Sequence, residues 1–135
     1  MRFLSRRLVM PNDLNYANAL FGGRALEWID EEAAIYAICQ LDSKLLVTKH
    51  IGEINFESPA MQGDVVEFGL VTKKVGRTSI TVTCLVRNKE TKKTICLADD
   101  IVFVRVDRQT RLPVAHGKTL EQLTAKIKLE IRAQR

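Results

Sequence analysis

The sequence predicts an α+β fold: an antiparallel β-sheet wrapped around one long central helix, with an amphipathic helix at the C-terminus. Three observations carry this. One segment is helical in its period and apolar nearly all round. Four long segments rich in β-branched residues follow it in succession. The C-terminal segment opens on a capping box and bears one narrow apolar stripe. A sheet that long, accompanied by one core helix, buries its apolar face only by closing around that helix.

Arg6–Met10 reads as a short first strand, stopped by Pro11 and the turn-rich Asn12-Asp13-Leu14-Asn15. The long helix is expected from about Gly23 to Gln40. Ala25, Leu26, Ile29, Ala33 and Ala37 cover one side of it, while Trp28, Ile35 and Ile38 interrupt the polar one. Such a helix belongs in a core, and its second apolar flank is expected to meet another subunit. Strands are expected at Leu45–Phe56, Asp64–Val75, Thr78–Asn88 and Thr94–Asp107. The alternation of Ile80, Val82, Cys84 and Val86 with Ser79, Thr81 and Thr83 is the period of a half-buried strand. Thr119 with Gln122 opens the last helix, and Leu120, Leu123, Ile127 and Ile131 form its stripe.

With 135 residues, the chain is expected to form a single domain, its core at residues 6–114 and a helical tail at 119–134. Cys39, Cys84 and Cys96 lie in apolar stretches without metal-ligand spacing, which suits reduced, buried thiols in a cytoplasmic protein. The longest apolar run, Ala33–Cys39, has seven residues, far short of a membrane span. Most of the net charge of +5 sits in the tail, on Lys118, Lys126, Lys128, Arg132 and Arg135. The tail has no aromatic residue on which a base would stack, so it reads as a packing helix and no nucleic-acid partner is expected.

Asn18–Ala34, NALFGGRALEWIDEEAA, holds the chemistry. The first amides of a helix lack internal partners and carry the positive end of its dipole. Gly22 and Gly23 leave those amides open to a carbonyl or phosphate oxygen; a tight turn or close packing explains the same glycines. Asp30 has Leu26, Ala33, Ala34 and Ala37 at helical spacing, with Glu27 the one charged exception. A carboxylate among small apolar groups is either paired or reserved for chemistry.

The run MPNDLNYANALFGGRALEWIDEEAA at residues 10–34 resembles the opening segment of the hotdog-fold acyl-CoA thioesterases. INFESPAMQGD at 54–64, KVGRTSI at 74–80 and FVRVD at 103–107 match further stretches of that family, in order. The resemblance implies a hotdog fold and hydrolysis of acyl-CoA to a carboxylic acid and coenzyme A, with no cofactor. Asp30 becomes the catalytic carboxylate and Asn15 its partner. It also implies sites shared between two subunits, Asn15 from one and Asp30 from the other, in a homodimer assembled further into a trimer of dimers. Asn18 stands where the family commonly has glycine, Gly52 where it often has an acid, and His50 where it has a small residue.

On that reading the Gly22 and Gly23 amides stabilise the thioester oxyanion, while Asp30 activates water or attacks directly. Asn15 orients the water or the carbonyl; an Asx-turn role is the alternative. Gly76, Arg77, Thr78 and Ser79, with Lys74, are expected along the coenzyme, Arg77 facing a phosphate; for Lys73 and Lys74 a solvated turn is the competing reading. Leu20, Phe21, Trp28 and Phe56 fit either an acyl tunnel or the core. Two other functions are open on this fold. A non-catalytic acyl-CoA sensor would not need Asn15 together with Asp30. A hydratase or dehydratase of this fold uses a histidine just before the helix, and none stands there; His50 reads as a packed or hydrogen-bonded strand residue.

Overall fold

Residues 1–134 are described by a computed structural model. The elements run β1 (Arg2–Leu8), α1 (Gly22–Leu41), β2 (Leu46–Ile51), β3 (Ile54–Phe56), β4 (Val65–Val75), β5 (Ser79–Asn88), β6 (Thr94–Arg105) and α2 (Leu120–Ala133). The period-two residues of β5 are the centre of the core: Ile80, Val82 and Cys84 are fully buried, and Val86 nearly so. Val66, Phe68 and Leu70 of β4 continue that face. The sheet is antiparallel throughout, in the order β1-β4-β5-β6-β2, with β3 also on β6. It wraps α1, as the hotdog resemblance implies. Ala33 and Ala37 let the helix lie close to the strands, and Trp28 meets Phe68 edge to face with ring centroids 6.4 Å apart.

Leu26 and Ile35, on the flank of α1 away from this chain's sheet, remain exposed. The first strand differs from the expected Arg6–Met10: it begins at Arg2 and ends at Leu8. Pairing with β4 draws the N-terminus into the sheet, Phe3 opposite Gly69. A side chain on Gly69 would overlap the Phe3 ring, which also carries the Arg87 guanidinium 3.5 Å above its centre. The expected strand Leu45–Phe56 is interrupted at Gly52-Glu53, opposite Asp99-Asp100 of β6; beyond the break β3 resumes the same register. Gly52 N–H donates to Asp100 O across this gap, 2.8 Å.

Helix α2 is capped as expected, Gln122 N bonding Thr119 Oγ1 and Thr119 N bonding Gln122 Oε1. Its stripe is only partly covered: Leu123 is buried, whereas Leu120 and Ile131 are exposed. Lys126 of α2 reaches the Cys39 carbonyl and Asp42 at the C-terminal end of α1, where a cation complements the helix dipole. Cys84 and Cys96 are buried, and desolvation pushes their thiols up to about 12 and about 11. Cys39 is exposed, contrary to the expectation of three buried thiols. No helix among the described residues is long and apolar enough to cross a membrane.

Candidate active site

The loop before α1 is built by short-range bonds. Asp13 O accepts from Phe21 N at 2.8 Å and closes the loop. Asn15 Oδ1 accepts from Ala17 N (2.9 Å) and Ala19 N (3.1 Å), so Asn15 is the Asx-turn residue that its sequence context allows. Those two bonds fix which end of the amide is oxygen and leave its Nδ2 hydrogens as the free donors. Asn18 has φ +62°, the left-handed conformation that explains both the family's glycine there and why asparagine substitutes for it.

Asn15, Leu20, Gly22, Ala25, Phe56 and Ile95 line a cleft of about 380 Å³ at the mouth of α1. The first bonds that close the helix run from Arg24 N and Ala25 N to Phe21 O, both 3.0 Å. The Gly22 and Gly23 amides therefore stand ahead of any carbonyl that could accept them. The two glycines have different surroundings. A Cβ on Gly23 would come within 2.6 Å of the exposed Phe21 ring, which would have to swing aside. A Cβ on Gly22 would meet only the Phe56 ring at an ordinary 3.6 Å. Packing does not demand a glycine at 22, and this amide borders the cleft.

Asp30 lies further along α1, half-buried, and accepts a 2.8 Å hydrogen bond from Thr48 Oγ1 on β2. Among the described residues no cation lies within ion-pair distance of it. Eight residues at 1.5 Å rise place Asp30 about 12 Å along the helix axis from Gly22, and it does not border the same chain's cleft. Thr48, a partner the sequence did not indicate, sits on the edge strand, where Val47, Thr48, Lys49 and His50 are all exposed. In the single chain His50 is exposed on this edge and makes no hydrogen bond among the described residues, in contrast to the packed or hydrogen-bonded residue expected. Of the acyl-tunnel candidates, Leu20 and Phe56 border the cleft, Phe21 lies over Gly23, and Trp28 is core.

The turn between β4 and β5 carries the other candidates. Gly76 N donates to Ser79 O at 3.0 Å, and a side chain on Gly76 would overlap the Ser79 hydroxyl. Thr78 and Ser79 are half-buried; Lys74 and Arg77 are exposed, with no carboxylate within 4.0 Å among the described residues. Lys73 instead pairs with Asp100 (2.9 Å) and Asp99 (3.2 Å) on β6, which raises its pKa.

A family model described as the thioesterase superfamily matches residues 17–95. An uncharacterized acyl-CoA thioester hydrolase of Haemophilus influenzae is 32% identical over 133 residues, covering 92% of this chain and 86% of its own. Among solved structures, the aspartate-to-alanine mutant of a hexameric broad-specificity acyl-coenzyme A thioesterase superposes with a TM-score of 0.80 at 27% identity, covering 99% of each chain. The hexameric thioesterase of Yersinia pestis gives 0.76 at 28% identity, covering 84% of this chain and 93% of its own. The family match spans α1 and the turn that bears Arg77, and the Haemophilus relative extends the likeness over nearly all of the sequence: the chain belongs to the thioesterase superfamily.

Proposed function

We propose that the protein hydrolyses acyl-CoA thioesters to a carboxylic acid and free coenzyme A, at sites shared by two subunits. The observation that carries this is Asp30: a half-buried carboxylate held by one hydroxyl, with no cation, on a helix whose exposed flank adjoins an unpaired sheet edge. An edge strand presents open backbone groups to a second strand. Two copies pairing through β2 form an isologous dimer, in which one chain's Asp30 faces the partner's helix mouth. The names of the Haemophilus relative and of the broad-specificity hexamer support the substrate class, and both hexameric structures support a hexamer, an assembly that a trimer of such dimers would give.

In this site the thioester oxygen lies against the Gly22 amide, with the Asn15 Nδ2 group as a second donor. Both stabilise the oxyanion that forms on attack. Asp30 of the other subunit takes a proton from the attacking water and returns it to the departing thiolate. Direct attack by Asp30, giving an anhydride that water then opens, uses the same groups. Thr48 holds the carboxylate in place along either route. Arg77, with the turn Gly76–Ser79 and Lys74, meets the phosphates of the coenzyme. The reaction needs no cofactor and fits a cytoplasmic enzyme.

Mixing two inactive chains tests the shared site. Asn15→Ala and Asp30→Asn are each expected to lose thiol release from acyl-CoA. Refolded together, they form heterodimers with one intact site, restoring about a quarter of all sites on random mixing. Mixtures as inactive as the separate variants would place the whole site within one chain.

A further inference from the structure

His116 is buried, 7% exposed, and does not line the cleft at the helix mouth. Both ring nitrogens are engaged. Nδ1 accepts from Lys118 N at 3.0 Å, which puts the ring proton on Nε2, and Nε2 donates to Ser79 O at 3.0 Å. The His116 backbone N–H also donates to Arg77 O at 3.2 Å, and Arg105 N to Thr78 O at 2.8 Å. Three successive carbonyls of the β4–β5 turn are therefore engaged by residues 105 and 116, Ser79 O accepting from Gly76 N as well. By contrast, the Arg77 and Thr78 amides make no hydrogen bond among the described residues, and the Arg77 guanidinium is exposed without a carboxylate. The turn thus has its acceptors occupied and two amides and a cation unoccupied, which is the polarity an anion requires.

We propose that His116 is a positioning residue for coenzyme recognition: by bonding Ser79 O and Arg77 O it holds the Gly76–Ser79 turn with Arg77 and two amides facing the coenzyme phosphates. This rests on the acyl-CoA reading above and adds to it a residue that touches neither the substrate nor the reacting atoms. The ring acts as a brace between this turn and the segment that leads into α2. Contacts to the phosphates are equal in the ground and transition states, so loosening the brace raises KM and leaves kcat in place.

The test compares His116→Leu, His116→Gln and His116→Asn on a short-chain acyl-CoA and on the matching acyl-pantetheine, with and without Arg77→Ala. His116→Leu is expected to raise KM for acyl-CoA about 3- to 10-fold, the worth of one or two hydrogen bonds. KM for acyl-pantetheine, which lacks the adenosine phosphates, should not follow. His116→Gln, whose Nε2 reaches Ser79, should restore the wild-type KM; His116→Asn, one methylene shorter, should not, and this pair answers the question if the leucine variant does not fold. In the Arg77→Ala background, His116→Leu should add less than it does in the wild type, because only the two amides are left for it to position. A KM rise shared by both substrates, or additivity with Arg77→Ala, overturns the positioning role. An Arg77→Ala enzyme with wild-type KM removes the phosphate contact and the inference with it. Failure of the thioesterase reading is a separate result: the wild-type protein would release no thiol.

Discussion

Asp30, half-buried on the central helix, and Glu67, fully buried on the sheet, are both carboxylates, and their surroundings are opposite. Glu67 lies on β4, on the sheet face turned away from α1, and is 1% exposed. The register sets Arg6 of β1 and Arg87 of β5 directly across from it. Arg87 bonds it at 2.7 Å, and Arg6 and Lys92 at 3.3 Å. Burial alone would raise this acid; the hydrogen bonds and charges of Arg87 and Lys92 outweigh burial and hold its pKa below the ordinary value. Asp30 has one hydroxyl and no cation. An acid that accepts from three cations ties three strands together and has its charge already compensated. An acid held by a single hydroxyl is anchored and keeps lone pairs open to an incoming group. On the function proposed above, the number of cations around each carboxylate separates the structural group from the reactive one.

Replacing each acid with its amide puts that contrast at risk. Asp30→Asn should lower turnover by a factor on the order of 10² or more, the range for losing a positioned base. Its thermal midpoint should hold or rise, because the amide costs less to withdraw from water than an uncompensated charge. An Asp30→Asn protein that unfolds early and loses activity only in proportion to its folded fraction would make the two acids alike.

Glu67→Gln should show the reverse: about 1.5–3 kcal/mol of stability lost, the range for hydrogen bonds to a charged group, with turnover per folded molecule unchanged. Urea unfolding and an activity assay on one preparation read both. The acid dependence follows from the sign of the shift. A lowered folded pKa contributes stability that is fully present above the unfolded value, near 4.5, and is lost as pH falls through the folded one. The stability gap between the wild type and Glu67→Gln should therefore be constant at neutral pH and narrow below about pH 4.5. A gap that widens in acid would show that Arg6, Arg87 and Lys92 do not stabilise the carboxylate.

The smallest expected effect is at Thr48, whose hydroxyl is the only hydrogen-bond donor to Asp30 among the described residues. Thr48→Val keeps the shape and removes that donor. Turnover should drop by about tenfold, the value of one hydrogen bond to a charged group, with KM little changed. Unaltered turnover would mean that Asp30 needs no anchor.

Local sequence set the elements whose causes are local. The buried period of β5, the all-round apolar character of α1 and the Thr119–Gln122 capping box each depend on residues within a few positions of one another. The Asx turn at Asn15 is of the same kind, and so is the helix mouth at Gly22, whose open amide follows from where the first helical bond closes. This is why residues 10–34 were informative enough to carry a family resemblance and to single out Asp30.

What only the tertiary structure decided are the pairings across strands, because register is fixed by the packing of whole faces and not by neighbours in sequence. It brought Thr48 to Asp30, closed Arg6, Arg87 and Lys92 around Glu67, and set His116 behind the Gly76–Ser79 turn. It also drew the N-terminus into the sheet from Arg2, because Gly69 leaves room for Phe3. It left Cys39 and His50 exposed where apolar or strand context suggested burial, since which face is covered depends on elements arriving from elsewhere in the chain. Asp30 could be singled out from its own helix as the proposed reactive acid, but the group that holds it and the bonds behind the Gly76–Ser79 turn were assembled by contacts spanning 18 to 39 residues.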